Sequence, residues 1–271
     1  MKTLFFTYFL ILTTCLHAQT SENLTRYTYN LEYLNRLDSE STYKSLCYLD
    51  VYPDKSYFGD KYFIEFQNIW AKNDTLKDRD KRYNILSDAK SKYSGEAFIF
   101  LIKKEKNKIT QYNKIWDNSF FATQNADEII WTIAPETSTW NEFTVQQATA
   151  FFEGRKWTVL FTKDIKLNNG PYKFTNLPGF VVKAWDEKKQ YTFEFINSEK
   201  LPATYDYLAR IHKYKEISLA QYKKLYANHY NKTYRAFWGE SQPDVEQFAI
   251  AFPLDKKIGE VENPIDLSFK Q

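Results

Sequence analysis

The 271-residue chain carries 37 basic and 34 acidic side chains, so its formal net charge is only +3. Charges of both signs are scattered along the chain, which is typical of a solvated surface and argues against nucleic acid as a partner. The 21 Tyr, 22 Phe and 7 Trp residues against only 7 Gly favour β-strands over glycine-rich loops.

The N-terminus has the parts of a bacterial signal peptide. Lys2 supplies a positive start, residues 4–12 are almost wholly apolar, and the Leu-His-Ala tripeptide at 16–18 forms a cleavage site. We therefore expect a signal peptide at 1–18 and a mature chain of 19–271, located in the periplasm, at the outer envelope or outside the cell. Because the apolar stretch is shorter than the roughly 20 residues that cross a bilayer, we expect no transmembrane span in the mature chain.

Cleavage would remove Cys15 and leave Cys47 as the last cysteine. One cysteine forms no internal disulfide, so a hydrophobic core must hold a mature chain of about 250 residues. Cys47 lies in an apolar run, 46–49, which favours a buried, unreactive thiol over a nucleophile. A lipid anchor at Cys15 is the less favoured alternative, because residues 12–14 lack the small side chains typical of such a site.

Alternation of apolar and polar residues predicts a series of short strands. Short turns such as Glu153-Gly154 join neighbouring strands, which indicates antiparallel pairing. A polar stretch at 71–94 interrupts the pattern and is predicted as an insertion, either a mobile loop or a short solvated helix. The predicted strands cover residues 25–34, 46–52, 57–66, 97–102, 109–116, 129–134, 143–152, 156–162, 180–185 and 191–196.

The C-terminal part has a helix signal followed by a proline-containing tail. Ser218 and Gln221 have the spacing of a capping box, and apolar residues recur at helical intervals over 219–230. The chain is therefore predicted as one mainly β domain over 19–271. We expect an antiparallel sheet that is curved, sandwiched or closed into a partly open barrel, with one C-terminal amphipathic helix and an irregular tail.

Turn residues concentrate between the last two predicted hairpins. Pro178-Gly179 predicts a type II turn with a positive φ at the glycine. Alternation at 172–174 predicts inward rings for Tyr172 and Phe174 and an outward ammonium for Lys173. The elements are Gly154-Arg155, Asp164-Ile165, Gly170-Pro171-Tyr172-Lys173-Phe174 and Leu177-Pro178-Gly179-Phe180-Val181, together with Gln147-Ala148-Thr149 and the tail segment Asn263-Pro264-Ile265-Asp266-Leu267.

These elements, in this order, resemble the GLPGLI family of exported Bacteroidetes proteins. The family's naming motif reads Gly-Leu-Pro-Gly-Leu-Ile and follows a Gly-Pro-aromatic-Lys-Phe element, and the resemblance extends over essentially the whole chain. Three departures occur: Asn176 replaces the first glycine, Phe180-Val181 replaces Leu-Ile, and Val145 stands where relatives often have a cysteine. The resemblance implies an envelope location and an association with outer-membrane receptors. It implies no particular reaction.

Two interpretations of this motif are open. In the structural one, its residues only shape turns that the topology requires. In the functional one, Arg155, Asp164 and Lys173 line a pocket for an anionic or peptide-like partner, since loops on a rigid scaffold commonly carry binding groups. The sequence favours the structural interpretation. In the structural interpretation, the residues of the motif that shape the turns are Gly154, Gly170, Pro171, Phe174, Leu177, Pro178 and Gly179.

Other kinds of site have weaker support. His212 and His229 lack metal-ligand spacing, and no nucleophile elbow or phosphate-binding loop occurs, so no metal or cofactor is expected. Nothing marks Asp164, Asp186 or Glu194 as a glycosidase pair. The favoured function is a non-catalytic envelope binding or accessory protein whose ligand the sequence does not identify, with an outer-membrane receptor or a peptide or glycan ligand as the candidate partner. The alternative is a secreted hydrolase acting on glycan or peptide.

Overall fold

The computed structural model describes residues 23–92, 100–115, 118–202 and 213–270. The predicted signal peptide, Cys15 and His212 lie outside these residues. The strands are β1 (Asn23–Leu34), β2 (Thr42–Val51), β3 (Lys55–Asp60), β4 (Leu101–Glu105), β5 (Lys108–Ile115), β6 (Asn118–Asn125), β7 (Thr132–Trp140), β8 (Phe143–Phe152), β9 (Arg155–Thr162), β10 (Phe180–Asp186), β11 (Tyr191–Pro202) and β12 (Lys215–Glu216). The α-helices are α1 (Lys61–Asn73), α2 (Arg79–Lys92), α3 (Leu219–Asn231), α4 (Tyr234–Gly239) and α5 (Ile258–Val261).

Within the described residues, all twelve strands belong to one open sheet in the order β12-β6-β5-β4-β3-β2-β1-β11-β10-β9-β8-β7. Neighbouring strands are antiparallel except for β12 and β6, which are parallel. The predicted mainly β class and antiparallel pairing are therefore confirmed. No helix of the described part is long and apolar enough to cross a bilayer.

The β8–β9 hairpin matches its sequence pattern closely. Phe152 pairs with Arg155, and the two turn residues both have positive φ, 50° at Glu153 and 74° at Gly154. This is the combination that type I′ turns require. A Cβ on Gly154 would lie 2.8 Å from the Leu267 carbonyl oxygen, so the position has no room for a side chain.

The sheet wraps a core dominated by aromatic rings. Trp157, Val159 and Phe161 share one buried face of β9, as predicted. Cys47 lies in the same core, and burial raises the pKa of its thiol well above the usual value. The predicted buried, unreactive thiol agrees with this environment.

The predicted strand at 57–66 is wrong beyond Asp60. There the chain turns into α1, because the Asp60 side chain accepts a hydrogen bond from the Phe63 amide at 3.1 Å and so caps the helix. The aromatic residues of 61–66 follow helical spacing instead. The polar stretch 71–94 contains the end of α1 and the whole of α2, and its last two residues lie outside the described part.

Two strands near the sheet edges also differ from prediction. Strand β6 has no counterpart in the predicted set, since its sequence has too few alternating apolar residues. Strand β7 continues through Pro135, where the sequence predicts an end. Pro135 is tolerated because β7 is the last strand of the sheet and its register shifts between Ile133 and Thr137.

Helix α3 begins directly after Ser218. The Ser218 hydroxyl accepts a bond from the Gln221 amide, and the Gln221 side chain accepts one from the Ser218 amide. Tyr222 and Tyr226 are buried against Phe120 of β6. The sequence predicts an irregular tail after this helix, whereas the structure has α4 and α5 in it.

Candidate binding site

Arg155, a predicted binding residue, is 3% exposed and fully engaged inside the molecule. Its guanidinium donates to Asp186 and Gln190 of the sheet region and to the tail residues 263–265, over distances of 2.7 to 3.0 Å. A guanidinium has five N–H donors, and these five bonds use all of them. Arg155 therefore acts as an internal brace between the sheet and the C-terminal tail.

The tail is held from several sides at the same point. The Asn263 backbone N–H donates to the Asn35 carbonyl at 2.9 Å, and the Asn263 side-chain amide donates to the Leu34 carbonyl at 2.7 Å. The Leu267 amide donates to the Glu153 carbonyl at 2.8 Å. Two parts of the sequence motif that lie over a hundred residues apart thus meet in one buried contact.

Lys173 is also buried, at 2% exposure, so the predicted outward ammonium is wrong. Its Nζ forms an ion pair with Glu153, which also accepts a hydrogen bond from the Tyr172 hydroxyl. Tyr172 has a left-handed φ of 49°, which breaks the strand-like alternation and lets residues 172–174 all point inward. Burial raises the pKa of the Glu153 carboxyl to about 7, with the neighbouring Lys173 opposing that shift.

A second buried lysine, which sequence reasoning missed, supports the same loop. Lys104 on β4 donates to the Gly170 carbonyl at 2.6 Å and to the Phe174 carbonyl at 3.4 Å. Burial lowers the pKa of Lys104 to about 7. No local pattern could identify it, because Lys104 lies in a charged run and its partners come from a segment some 70 residues later.

The turn at 177–180 is not of type II. Gly179 does not have a positive φ, and the left-handed residue is Asn176, at 63°. Gly179 is required for space instead, since a Cβ there would lie 2.3 Å from the Thr162 carbonyl oxygen. Asparagine is among the residues that best tolerate a left-handed backbone, so Asn176 suits this position.

The remaining turn residues pack the loop against the sheet. Phe174 and Leu177 are buried in the core, and the Phe174 amide donates to the Pro171 carbonyl at 3.1 Å. A Cβ on Gly170 would lie 2.6 Å from the Val181 side chain. Pro178 is exposed at the tip of the turn.

The three predicted binding residues do not share one pocket. Lys173 pairs with Glu153, two residues before Arg155, but Asp164 lies past the far end of β9, an eight-residue strand about 25 Å long. Asp164 is exposed and accepts a bond from the Thr144 amide at 2.9 Å. The other carboxylates considered from sequence are also separate: Asp186 pairs with Arg155, and Glu194 pairs with Lys183 at 2.6 Å.

An open cleft of about 930 Å³ lies elsewhere, at the β12 end of the sheet. Its walls come from the adjoining ends of β5 and β6, from β12, and from α3 with α4. Leu225, Asn228 and His229 of α3 have the three- and four-residue spacing that places side chains on one helix face, and Lys232 follows directly after the helix. Sequence reasoning missed this cleft because β6, which forms its floor, was not predicted.

The charged groups of the cleft largely neutralise one another. Lys232 forms an ion pair with Glu240. Burial lowers the pKa of His229 and the nearby Lys232 adds to that effect, against an opposing contribution from Glu240, so the uncharged form of the imidazole is favoured. The His229 ring contacts Phe237 edge to face, with centroids 5.3 Å apart.

No cluster of three or more metal-ligating side chains occurs among the described residues. No family model matches the chain, and no curated protein matches it. Solved structures do: "Structure of PNGF-II in P21 space group" has a TM-score of 0.48, and "Structure of PNGF-II in C2 space group" has a TM-score of 0.49. Both are 15% identical and match 75% of this chain, but only 33% and 32% of their own chains. The chain thus spans about a third of the length of these structures.

Proposed function

We propose that this chain is an exported, non-catalytic envelope binding protein of the GLPGLI type that acts beside an outer-membrane receptor. The observation that carries the proposal is the role of the motif's charged residues. Arg155 uses all five donors on the sheet and the tail, and Lys173 is paired with Glu153. Arg155 and Lys173 of the motif therefore support the scaffold, and in this proposal the ligand binds at another surface.

The cleft at the β12 end of the sheet is that surface. It is open, and its walls combine apolar and polar side chains, as ligand sites commonly do. In this proposal α3 is the amphipathic C-terminal helix expected from sequence. Its Tyr222 and Tyr226 face packs on the sheet, and the face with Asn228 and His229 borders the cleft.

A secreted hydrolase acting on glycan or peptide is the second candidate, and one observation favours it. His229 and Glu240 line the same cleft, and an uncharged imidazole can accept a proton. Glu240, however, is paired with Lys232, and this pairing favours binding over acid catalysis.

The test has two stages. The full chain is expressed in a Gram-negative host with a C-terminal tag, the cells are fractionated, and the N-terminus of the recovered protein is determined by mass spectrometry. The purified mature protein then captures partners from detergent-solubilised outer membranes. The Asn228→Ala/Asn231→Ala double variant tests the cleft, and Lys223→Ala, an exposed position on α3 that does not line the cleft, is the matched control.

We expect an envelope-located protein starting at Gln19 that recovers an outer-membrane receptor, with recovery reduced in the double variant and normal in the control. A cytosolic protein that retains residues 1–18 would overturn the proposal. So would release of product from oligosaccharides or peptides that is lost in His229→Gln, because that result identifies the hydrolase.

A further inference from the structure

Three asparagine side chains line the cleft without hydrogen-bond partners among the described residues. Asn118 lies at the start of β6, and Asn228 and Asn231 lie three residues apart on α3. Each carboxamide offers two N–H donors and an oxygen with two lone pairs. The cleft therefore presents three groups that both donate and accept.

The floor of the cleft is apolar. Phe120 is buried against Tyr222 with ring centroids 5.8 Å apart, and Ile217 and the half-buried Phe237 extend this surface. The volume of about 930 Å³ falls within the range of roughly 300 to 1,000 Å³ that small-molecule sites occupy. A ligand that fits should combine an apolar face with hydroxyl or amide groups at its rim.

The charges of the cleft argue against a strongly anionic or cationic ligand. Lys232 and Glu240 neutralise each other, which leaves Lys215 as the cation that has no acidic partner among the described residues. Binding a charged ligand away from water is costly unless an opposite charge compensates it. A single exposed lysine supplies little such compensation.

We propose that the cleft binds a neutral oligosaccharide, with Asn118, Asn228 and Asn231 bonding its hydroxyls while Phe237 packs against the C–H face of a sugar ring. Sugar hydroxyls donate and accept at once, as the carboxamides do, so a row of neighbouring hydroxyls matches three carboxamides from two elements. This inference rests on the proposed binding function and names its ligand class.

The proposal is tested by isothermal titration calorimetry on the mature protein. The neutral probes are cellotetraose, maltotetraose, mannotetraose and N,N′,N″,N‴-tetraacetylchitotetraose. The comparison probes are tetragalacturonic acid, which is anionic, and a neutral pentapeptide. The variants are Asn228→Ala/Asn231→Ala, Lys215→Gln and the control Lys223→Ala, each checked for unchanged thermal unfolding.

We expect at least one neutral tetrasaccharide to bind. The double asparagine variant should weaken that binding about tenfold or more, because it removes several hydrogen bonds. Lys223→Ala, which does not line the cleft, should bind nearly as the unchanged protein does. The proposal would be overturned if no neutral tetrasaccharide bound, or if the double variant bound as well as the unchanged protein. It would also be overturned if the protein preferred tetragalacturonic acid and Lys215→Gln abolished that preference, or if the pentapeptide alone bound.

These results are separable from those of the proposed function. Failure of every saccharide, with receptor capture still dependent on the cleft asparagines, removes the ligand class and leaves the envelope function standing. Saccharide binding by a protein that stays in the cytosol removes the envelope function and leaves the ligand class standing.

Discussion

Arg155 and Asn263 are joined by a buried hydrogen bond of 2.7 Å from Nη2 to Oδ1, across 108 residues of sequence. The bond ties the hairpin that precedes the turn-rich loop to the tail that ends the chain. It brings a glycine-arginine pair and a distant Asn-Pro-Ile segment into one buried contact.

We predict that Arg155→Ala destabilises the protein by roughly 3–5 kcal/mol, because it leaves the buried Asp186 carboxylate uncompensated. Arg155→Lys should restore only part of this loss, since one ammonium cannot replace a five-donor fork. Urea unfolding measures both effects. Lys156→Ala is the neighbouring control, because its ion pair with Glu187 is exposed, and it should leave the midpoint unchanged. Equal midpoints for Arg155→Ala and Lys156→Ala would contradict the internal-brace role.

Gly179→Ala should lower the free energy of unfolding by well over about 1 kcal/mol, because the added Cβ would overlap the Thr162 carbonyl oxygen and strain a well-packed region. Gly239→Ala, at the end of α4, is the matched control. Its Cβ would have no neighbour closer than 3.7 Å, so we expect little change or slight stabilisation. Thermal unfolding of the two variants provides the comparison, and a Gly179→Ala protein that melts like the unchanged one refutes the close approach.

The free energy of unfolding of Asn176→Gly should exceed that of Asn176→Ala by roughly 1 kcal/mol, since residue 176 has a left-handed backbone that alanine adopts poorly. Both substitutions lose the same side-chain bond to the Ala126 carbonyl, so their difference isolates the backbone effect. Chemical denaturation of the pair measures it. Equal stability of the two variants would argue against the left-handed conformation.

The buried Lys104 predicts a rise of stability with pH on the alkaline side. Its pKa is about 7 in the folded protein and about 10.5 when unfolded, so the unfolded chain binds more protons between these values. The free energy of unfolding should therefore increase from about pH 7 towards pH 10.5. Lys104→Met, which has no titrating group, should lose this rise. A slope that persists in the variant would assign it to other groups.

Glu153 predicts the opposite trend on the acidic side. Burial raises the pKa of its carboxyl to about 7 from 4.5, so the folded chain binds more protons between these values. Its contribution to stability is fully present below about pH 4.5 and is lost as pH rises through about 7. Unfolding of Glu153→Gln as a function of pH should lack this decline, whereas Glu187→Gln, an exposed control, should retain it.

Local sequence was sufficient for the elements whose structure depends on neighbouring residues. The Glu153-Gly154 turn, the buried face of Trp157 and Phe161, and the cap at Ser218 follow from turn chemistry, a period of two and a capping box. Each depends on contacts within a few residues, so each is visible in a short window of sequence.

The directions of the charged side chains were decided by the tertiary structure. Lys173 points inward because it forms an ion pair with the part-buried Glu153. Arg155 is buried because the tail supplies hydrogen-bond acceptors from residues 263–265. The cleft likewise required β6, which has little alternation of its own and is held by pairing with β5 and β12. The sequence by itself therefore determined the class of the fold and its hairpins. Burial, long-range pairing and the location of the candidate site depended on partners that only folding brings together.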